Sequence, residues 1–251
     1  MAAKLSREDD LTLREYNIAV MVVLALETVT PLGSVAVWHD GTCHSRTGDR
    51  HTPHATRLPA TWITALTDAG LQLEQVDRLA VVSGPGSFTG VRIGMASAQG
   101  LALTRGWSVT AVPTLDAIAE SWRSANDGAA PRVVIACLDG LRGEVFARKF
   151  RFDGHAVSPE GEPVVVVPAE LTWTPFGEGA SIIGDGAIRH ADLFRSRADD
   201  IADTPEPIAA GAARLVARDA IAAVSPHALR PLYVRRPDVE LARERGRVNV
   251  R

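Results

Sequence analysis

Residues 81–100 read VVSGPGSFTGVRIGMASAQG: an apolar strand end, a loop with glycine at 84, 86 and 90, and a helical stretch almost without charge. The loop matches neither named phosphate cradle. A dinucleotide fingerprint needs G-x-G-x-x-G, whereas Gly84, Gly86 and Gly90 are spaced G-x-G-x-x-x-G, and the G-K-[ST] of a P-loop is absent. What remains is a strand–turn–helix in which Ser87 or Thr89 caps the helix. Its leading N–H groups either hold an anion or belong to a tight turn with no ligand. Between Gly90 and Thr104 only Arg92, Ser97, Gln99 and Thr104 are polar, so the helix lacks the polar face of a surface helix. Gly90, Gly94, Ala98 and Ala102 stand four apart, a smooth stripe that a neighbouring helix can approach closely. Gly94 and Gly100 each cost about 1 kcal/mol against alanine in a helix, which implies a compensating contact inside the fold or at a partner.

Outward from this stretch, the chain repeats itself. The apolar run Ile18 to Leu26 leads through the turn residues Thr30-Pro-Leu-Gly33 into a second strand, Ser34 to Trp38, and Asp40-Gly41 marks a tight turn into a third. Later, VVIACLD (133–139) answers VVLALE (22–27), DGHAVS (153–158) answers DGTCHS (40–45), and SIIGDG (181–186) answers VVSGPG (81–86). Three correspondences in the same order argue for duplication. Helices fit the gaps: one opening at Thr52-Pro53 and ending near Gly70, with a kink or late start at Pro59; one over Leu115–Trp122; one over Ile208–Val224. Glu160–Pro168 reads as loop and edge strand. Two hairpin-led sheets with helices behind them is the plan of an α/β, actin-like (ASKHA, duplicated ribonuclease-H-like) fold with two lobes. The expected division is an extension over 1–17, lobes over 18–113 and 114–228, and a basic tail over 229–251.

Composition excludes several classes of function. The 251 residues are 46% apolar and 23% charged, an ordinary globular balance, and the run Ile18–Leu26 falls far short of the ~20 residues that span a bilayer. Residues 1–16 mix acids and bases in a way that no secretory signal uses, so the expected location is cytoplasmic, away from membranes. Cys43 and Cys137 stand alone, without a C-x-x-C or a histidine pair. Net charge is −3, yet Arg230–Arg251 carries a local +4, leaving −7 for the rest. A chain that bound nucleic acid alone would show a wider basic face, so any RNA contact is indirect.

LALETVTPLGSVAV, HATRLPATWITAL, SGPGSFTGVRIGMASAQGLAL and the terminal PLYVRR, in that order over residues 21–236, resemble the TsaB (YeaZ) family. The resemblance implies a role in making threonylcarbamoyladenosine (t6A) on tRNA. In that system a TsaD catalytic subunit moves the threonylcarbamoyl group from threonylcarbamoyl-AMP to N6 of the adenosine 3′ of the anticodon, in tRNAs reading ANN codons. TsaE is an ATPase, and TsaB is the non-catalytic partner that binds TsaD. ATP, Mg²⁺ and threonylcarbamoyl-AMP are then used by the partners, with no cofactor bound by this chain alone. The resemblance also places the family's start near Met21, so residues 1–20 read as an extension.

Two features agree with a non-catalytic role. TsaD-like relatives carry a His-x-x-x-His metal pair after the helix corresponding to 90–104; here the segment is AVPTLDAI, with Thr114 and Ile118 at those places. The D-x-G-[ST] loop of actin-like phosphotransferases is replaced by Glu27-Thr-Val-Thr30, and the family's usual aspartate by Glu27. Glu27 and Asp139 lie at equivalent ends of the two copies, either as an ion-binding pair or as caps of their turns. His51-x-x-His54 is the one close histidine pair, with no third ligand in view. The expected partner interface is Gly86, Ser87, Phe88, Thr89, Gly90, Arg92, Gly94 and Ala98, the same helix offering a homodimer contact when no partner is present. Arg235, Arg236, Arg243, Arg245 and Arg247 are the candidate contacts to tRNA or partner, against the alternative of a solvated tail. The competing function is a free-standing actin-like ATPase, kinase or metallopeptidase.

Overall fold

The computed structural model describes residues 21–130, 132–171 and 180–235. Its first strand, β1 (Val23–Glu27), is buried at every position, as a central strand covered on both faces must be. It pairs antiparallel with β2 (Ser34–His39), which pairs antiparallel with β3 (Thr42–Thr47). Asp40 and Gly41 both take positive φ between them, as a two-residue hairpin turn requires. On its other side β1 runs parallel to β4 (Arg78–Val82), which is parallel to β5 (Val109–Val112), giving the order β3-β2-β1-β4-β5. Helix α1 (His54–Asp68) precedes β4, α2 (Phe88–Arg105) joins β4 to β5, and α3 (Thr114–Ala125) follows.

The second half repeats this plan strand for strand. β6 (Arg132–Asp139) pairs antiparallel with β7 (Val145–Phe152) and parallel with β9 (Ser181–Ile183); β8 (Val157–Val166) and β10 (Asp200–Ala202) are the edges, in the order β10-β9-β6-β7-β8. The three repeated segments thus fall on β1 and β6, on the turns entering β3 and β8, and on the ends of β4 and β9. The helices differ more: α2 has 18 residues, while α4 (Asp185–Arg189) and α5 (Ala191–Phe194) have 5 and 4. The fold is α/β with two mixed five-stranded sheets, the duplicated actin-like plan.

Helices α3 and α6 (Ile208–Ala217) exchange partners between the halves. α3 packs on β6, β7 and β8, whereas α6, which follows the second sheet in the chain, packs on β1, β2 and β4. They cross back to back at Gly211, where a Cβ would lie 2.1 Å from the Ala117 carbonyl oxygen and 2.5 Å from Ser121 Oγ. Ala209 N–H donates to Ser34 Oγ at 3.2 Å, tying α6 to the first hairpin. The larger apolar core therefore runs through both halves, while a smaller one, around Ile135, Ile182 and Phe194, belongs to the second half alone.

Two boundaries differ from expectation. α6 stops at Ala217 instead of running to Val224: Asp219 takes a positive φ, and Val224 exchanges two 2.9 Å backbone hydrogen bonds with Val109, pulling the chain back onto β5. α1 begins at His54, before Pro59, which it accommodates on its exposed side. Gly70, just beyond its Ala69 cap, has φ +69° and ends it as a C′ glycine. Residues 1–20, including Ile18–Val20 of the first apolar run, lie outside the described residues.

Candidate functional site

The glycine loop wedges α2 against the end of β1. Ser87 N–H donates to Val29 O at 2.8 Å, and Ser87 Oγ caps the helix by accepting from Gly90 N–H at 3.1 Å. Thr28 Oγ1 donates to Gly90 O at 2.7 Å. Gly86 has φ +153°, and a Cβ on it would meet Val29 at 2.8 Å. A Cβ on Gly90 would stand 1.9 Å from Thr28 O, and one on Gly94 2.4 Å from Thr28 Oγ1. At Gly86 and Gly90 the chain meets backbone and admits only glycine, while at Gly94 it meets the Thr28 hydroxyl.

This corrects the expected interface. Gly90, Gly94 and Ala98 face the chain's own sheet, Ala98 with no exposed surface, so the close approach implied by the stripe is internal. Ser87, Phe88, Thr89 and Arg92 remain exposed, and Gly86 is half-buried. The opposite face of α2 carries Phe88 (40% exposed), Ala96, Gly100 and Leu103 (51%); a Cβ on Gly100 would meet nothing within 4 Å. Ile63 on α1 is 59% exposed. α2 thus has an apolar inner face and a small, apolar outer face interrupted mainly by Arg92. Neither its hydropathy nor its stripe told the two apart. The Arg92 guanidinium lies 3.8 Å over the Phe88 ring, and the Phe88 and Tyr233 rings are 5.2 Å apart.

Tyr233 belongs to a strap, residues 229–235, that crosses both halves. Leu232 N–H donates to Ser83 O at 2.8 Å beside β4, while Arg235 pairs with Glu144 and stacks 5.1 Å over the Phe146 ring on the second sheet. Arg235, expected to reach tRNA or a partner, is thus engaged within the fold. Arg236, Arg243, Arg245 and Arg247 lie outside the described residues. Between the α2 N-terminus, the strap and the β6–β7 turn is a cavity of about 860 Å³, lined by both halves.

Glu27 closes its own turn. It is 2% exposed and accepts from Thr30 N–H (2.7 Å), Thr30 Oγ1 (3.0 Å) and Ser34 Oγ (2.8 Å), so both carboxylate oxygens are occupied. Burial raises its pKa from the ordinary 4.5, against the hydrogen bonds. A raised carboxyl pKa means the fold holds this proton more tightly than the unfolded chain does. The associated stability is fully present below pH 4.5 and lost as pH rises through the folded value. Replacing Glu27 with alanine strands the buried Ser34 O–H and the half-buried Thr30 N–H, and is expected to cost about 2–4 kcal/mol in urea denaturation. A midpoint shift below a quarter of that would show the turn holds without the carboxylate.

Asp139 also serves its turn: Oδ1 accepts from Leu141 N–H at 3.1 Å, and Oδ2 lies 3.3 Å from Arg189 Nη1. Thr114 and Ile118 are buried, Thr114 Oγ1 donating to Pro85 O at 2.7 Å, which leaves no room for ligand chemistry there. His51 is exposed, while His54 Nδ1 sits 2.7 Å from Arg57, its pKa lowered by burial and by that cation. Among the described residues no three His, Cys, Asp or Glu side chains stand together to hold a metal ion, and no helix is long and apolar enough to cross a membrane.

A family model described as TsaD, tRNA N6-adenosine threonylcarbamoyltransferase, matches residues 49–235. The Escherichia coli tRNA threonylcarbamoyladenosine biosynthesis protein TsaB is 36% identical over 152 residues, 60% of this chain and 64% of that protein. The chain thus spans less than two thirds of that relative. An uncharacterized Mycobacterium tuberculosis protein is 32% identical over 234 residues, 89% of this chain and 96% of its own. The solved structure of YeaZ from Pseudomonas aeruginosa superposes with a TM-score of 0.68 at 27% identity, covering 85% of this chain and 99% of that one.

Proposed function

Because the chain belongs to the TsaB (YeaZ) family, we propose that it serves tRNA threonylcarbamoyladenosine biosynthesis as the non-catalytic partner of a TsaD-type subunit. That subunit performs the transfer to adenosine N6, and a TsaE-type ATPase joins the assembly. The observation that carries the reading is the uncovered outer face of α2, where Phe88, Ala96, Gly100 and Leu103 lie open. Small residues at 96 and 100 allow a partner helix to approach closely, and the flanking large apolar side chains supply the buried area. Glu27, Asp139, Thr114 and Ile118, the positions at which an enzyme of this fold would hold its chemistry, are spent on the chain's own turns and core.

The test is size-exclusion chromatography of the chain with the TsaD-type protein of the same organism, beside calorimetry of the chain alone with Mg-ATP. A stable complex and no ATP turnover by the isolated chain are expected. Separate elution, or turnover without the partner, would sink the proposal. A homodimer through the same face, dissolved by the partner, agrees with it.

The basic tail is proposed as an electrostatic aid to tRNA binding by the assembly. Truncation after Pro237 is expected to leave the complex intact but weaken its tRNA binding about tenfold, with a salt slope shallower by about 1–2. Equal affinity and equal slope at two ionic strengths would make the tail a solvated appendage.

A further inference from the structure

The strap also borders the outer face of α2. Gln99 Nε2 donates to Pro226 O at 2.8 Å, and Arg92 Nε donates to the Tyr233 hydroxyl at 3.3 Å, so residues 226–233 run back along one flank of the helix toward its first turns. Leu229 on this segment is buried, and Leu232 is bonded to Ser83. Tyr233 is 41% exposed, with its ring 5.2 Å from that of Phe88.

Arg92 is the charge on this apolar surface, and it is held from two sides, by the Phe88 ring at 3.8 Å and by the Tyr233 hydroxyl. Stacking uses the flat face of the guanidinium, and the hydroxyl takes Nε–H. Among the described residues its Nη groups make no hydrogen bond and no carboxylate stands within 4 Å of it. A planar fork fixed in this way loses little freedom when a carboxylate meets it.

A surface that covers Phe88 also takes this cation out of water, which is costly unless an anion arrives with it. A second copy of the chain brings none through the same helix. From Phe88 to Arg105, α2 has no aspartate or glutamate; Asp68 at the end of α1 is paired with Arg46, and Glu74 with Arg105. Self-docking along α2 therefore sets Arg92 against apolar groups and further arginine.

We infer, on the basis of the proposed docking to a TsaD-type subunit, that Phe88, Arg92 and Tyr233 form a preset anchor for a carboxylate on the partner's docking surface, and that this anchor makes the face prefer that partner to a second copy of the chain. The strap is then part of the docking surface as well as a tie between the halves. The partner element that packs at Ala96 and Gly100 brings an aspartate or glutamate near the N-terminal end of α2.

The experiment titrates the full chain with the TsaD-type protein of the same organism at two ionic strengths, beside sedimentation of the chain alone. It compares wild type with Arg92→Met, Arg92→Lys and Tyr233→Ala. Arg92→Met keeps a long side chain over Phe88 without the charge. It is expected to weaken the heterocomplex about tenfold or more and to flatten its salt dependence, while self-association stays equal or tightens. Arg92→Lys, which keeps the charge but loses the fork, falls between, and Tyr233→Ala, which frees Arg92, weakens the complex about threefold or more. All three positions are exposed, so circular dichroism and melting stay near wild type. A folded Arg92→Met with wild-type affinity and salt dependence overturns the inference and leaves the docking reading standing, as does an equal loss of heterocomplex and homodimer. Wild-type affinity in Tyr233→Ala removes the strap from the surface. A wild-type chain that forms no complex overturns both readings.

Discussion

Gly94→Leu is expected to unfold the isolated chain, not to detach a partner from a folded one. A Cβ at this position already stands 2.4 Å from Thr28 Oγ1 and 3.5 Å from Val81 Cγ2, and leucine adds three more carbons in that direction. α2 cannot retreat without breaking the Thr28–Gly90 hydrogen bond and the Ser87 link to Val29 that hold it to β1. Overpacking a core costs 1–3 kcal/mol where neighbours can yield; here they are a central strand and a capped helix, and the expected loss is about 4 kcal/mol or more. Chemical denaturation and circular dichroism of the monomer are the measurements. A monomer that keeps its helix content and midpoint would mean that the stripe does not face the sheet.

On the opposite face the same helix should respond in the reverse sense. Gly100→Arg places a side chain where nothing lies within 4 Å and replaces a poor helix former by a good one, so the monomer is expected to gain about 0.5–1 kcal/mol. The TsaD-type partner, which in the proposed docking must approach closely at Ala96 and Gly100, then meets a long charged side chain between apolar surfaces. A rise of at least ~100-fold in the dissociation constant is expected. A stabilised monomer that still binds normally would move the docking face off α2, whereas a destabilised monomer would contradict the exposure of Gly100. Together the two substitutions, six residues apart, separate the inner function of this helix from the outer one.

What could be read in the sequence followed from local chemistry. Asp40-Gly41 announces its turn because both positions need positive φ, and Ser87 announces a cap because its hydroxyl reaches the N–H three residues on. The repeated strands are legible since each is a compact apolar run that must be buried. The orientation of α2 was not, because a stripe of small residues looks the same whether a sheet or a stranger lies against it. Only Thr28, sixty-two residues from its bonding partner Gly90, decides between them. Arg235 likewise appears, by charge alone, to belong to the arginine-rich tail, and its pairing with Glu144 is a contact across ninety-one residues. The end of α6 was missed for the same reason: Val224 leaves the helical pattern to bond with Val109, and nothing local requires it.

The exchanged helices have a consequence for how the chain comes into being. The face of the first sheet that α6 covers must wait for Ile208–Ala217, and the Ser34 hydroxyl waits for Ala209, 175 residues later. At the usual pace of translation, about 5–20 residues per second, that interval lasts on the order of ten seconds. Throughout it, one apolar wall of β1, β2 and β4 travels out of the ribosome without its lid. The duplication that gave the molecule two matching sheets therefore also gave it a long moment in which the first must be shielded by something other than itself.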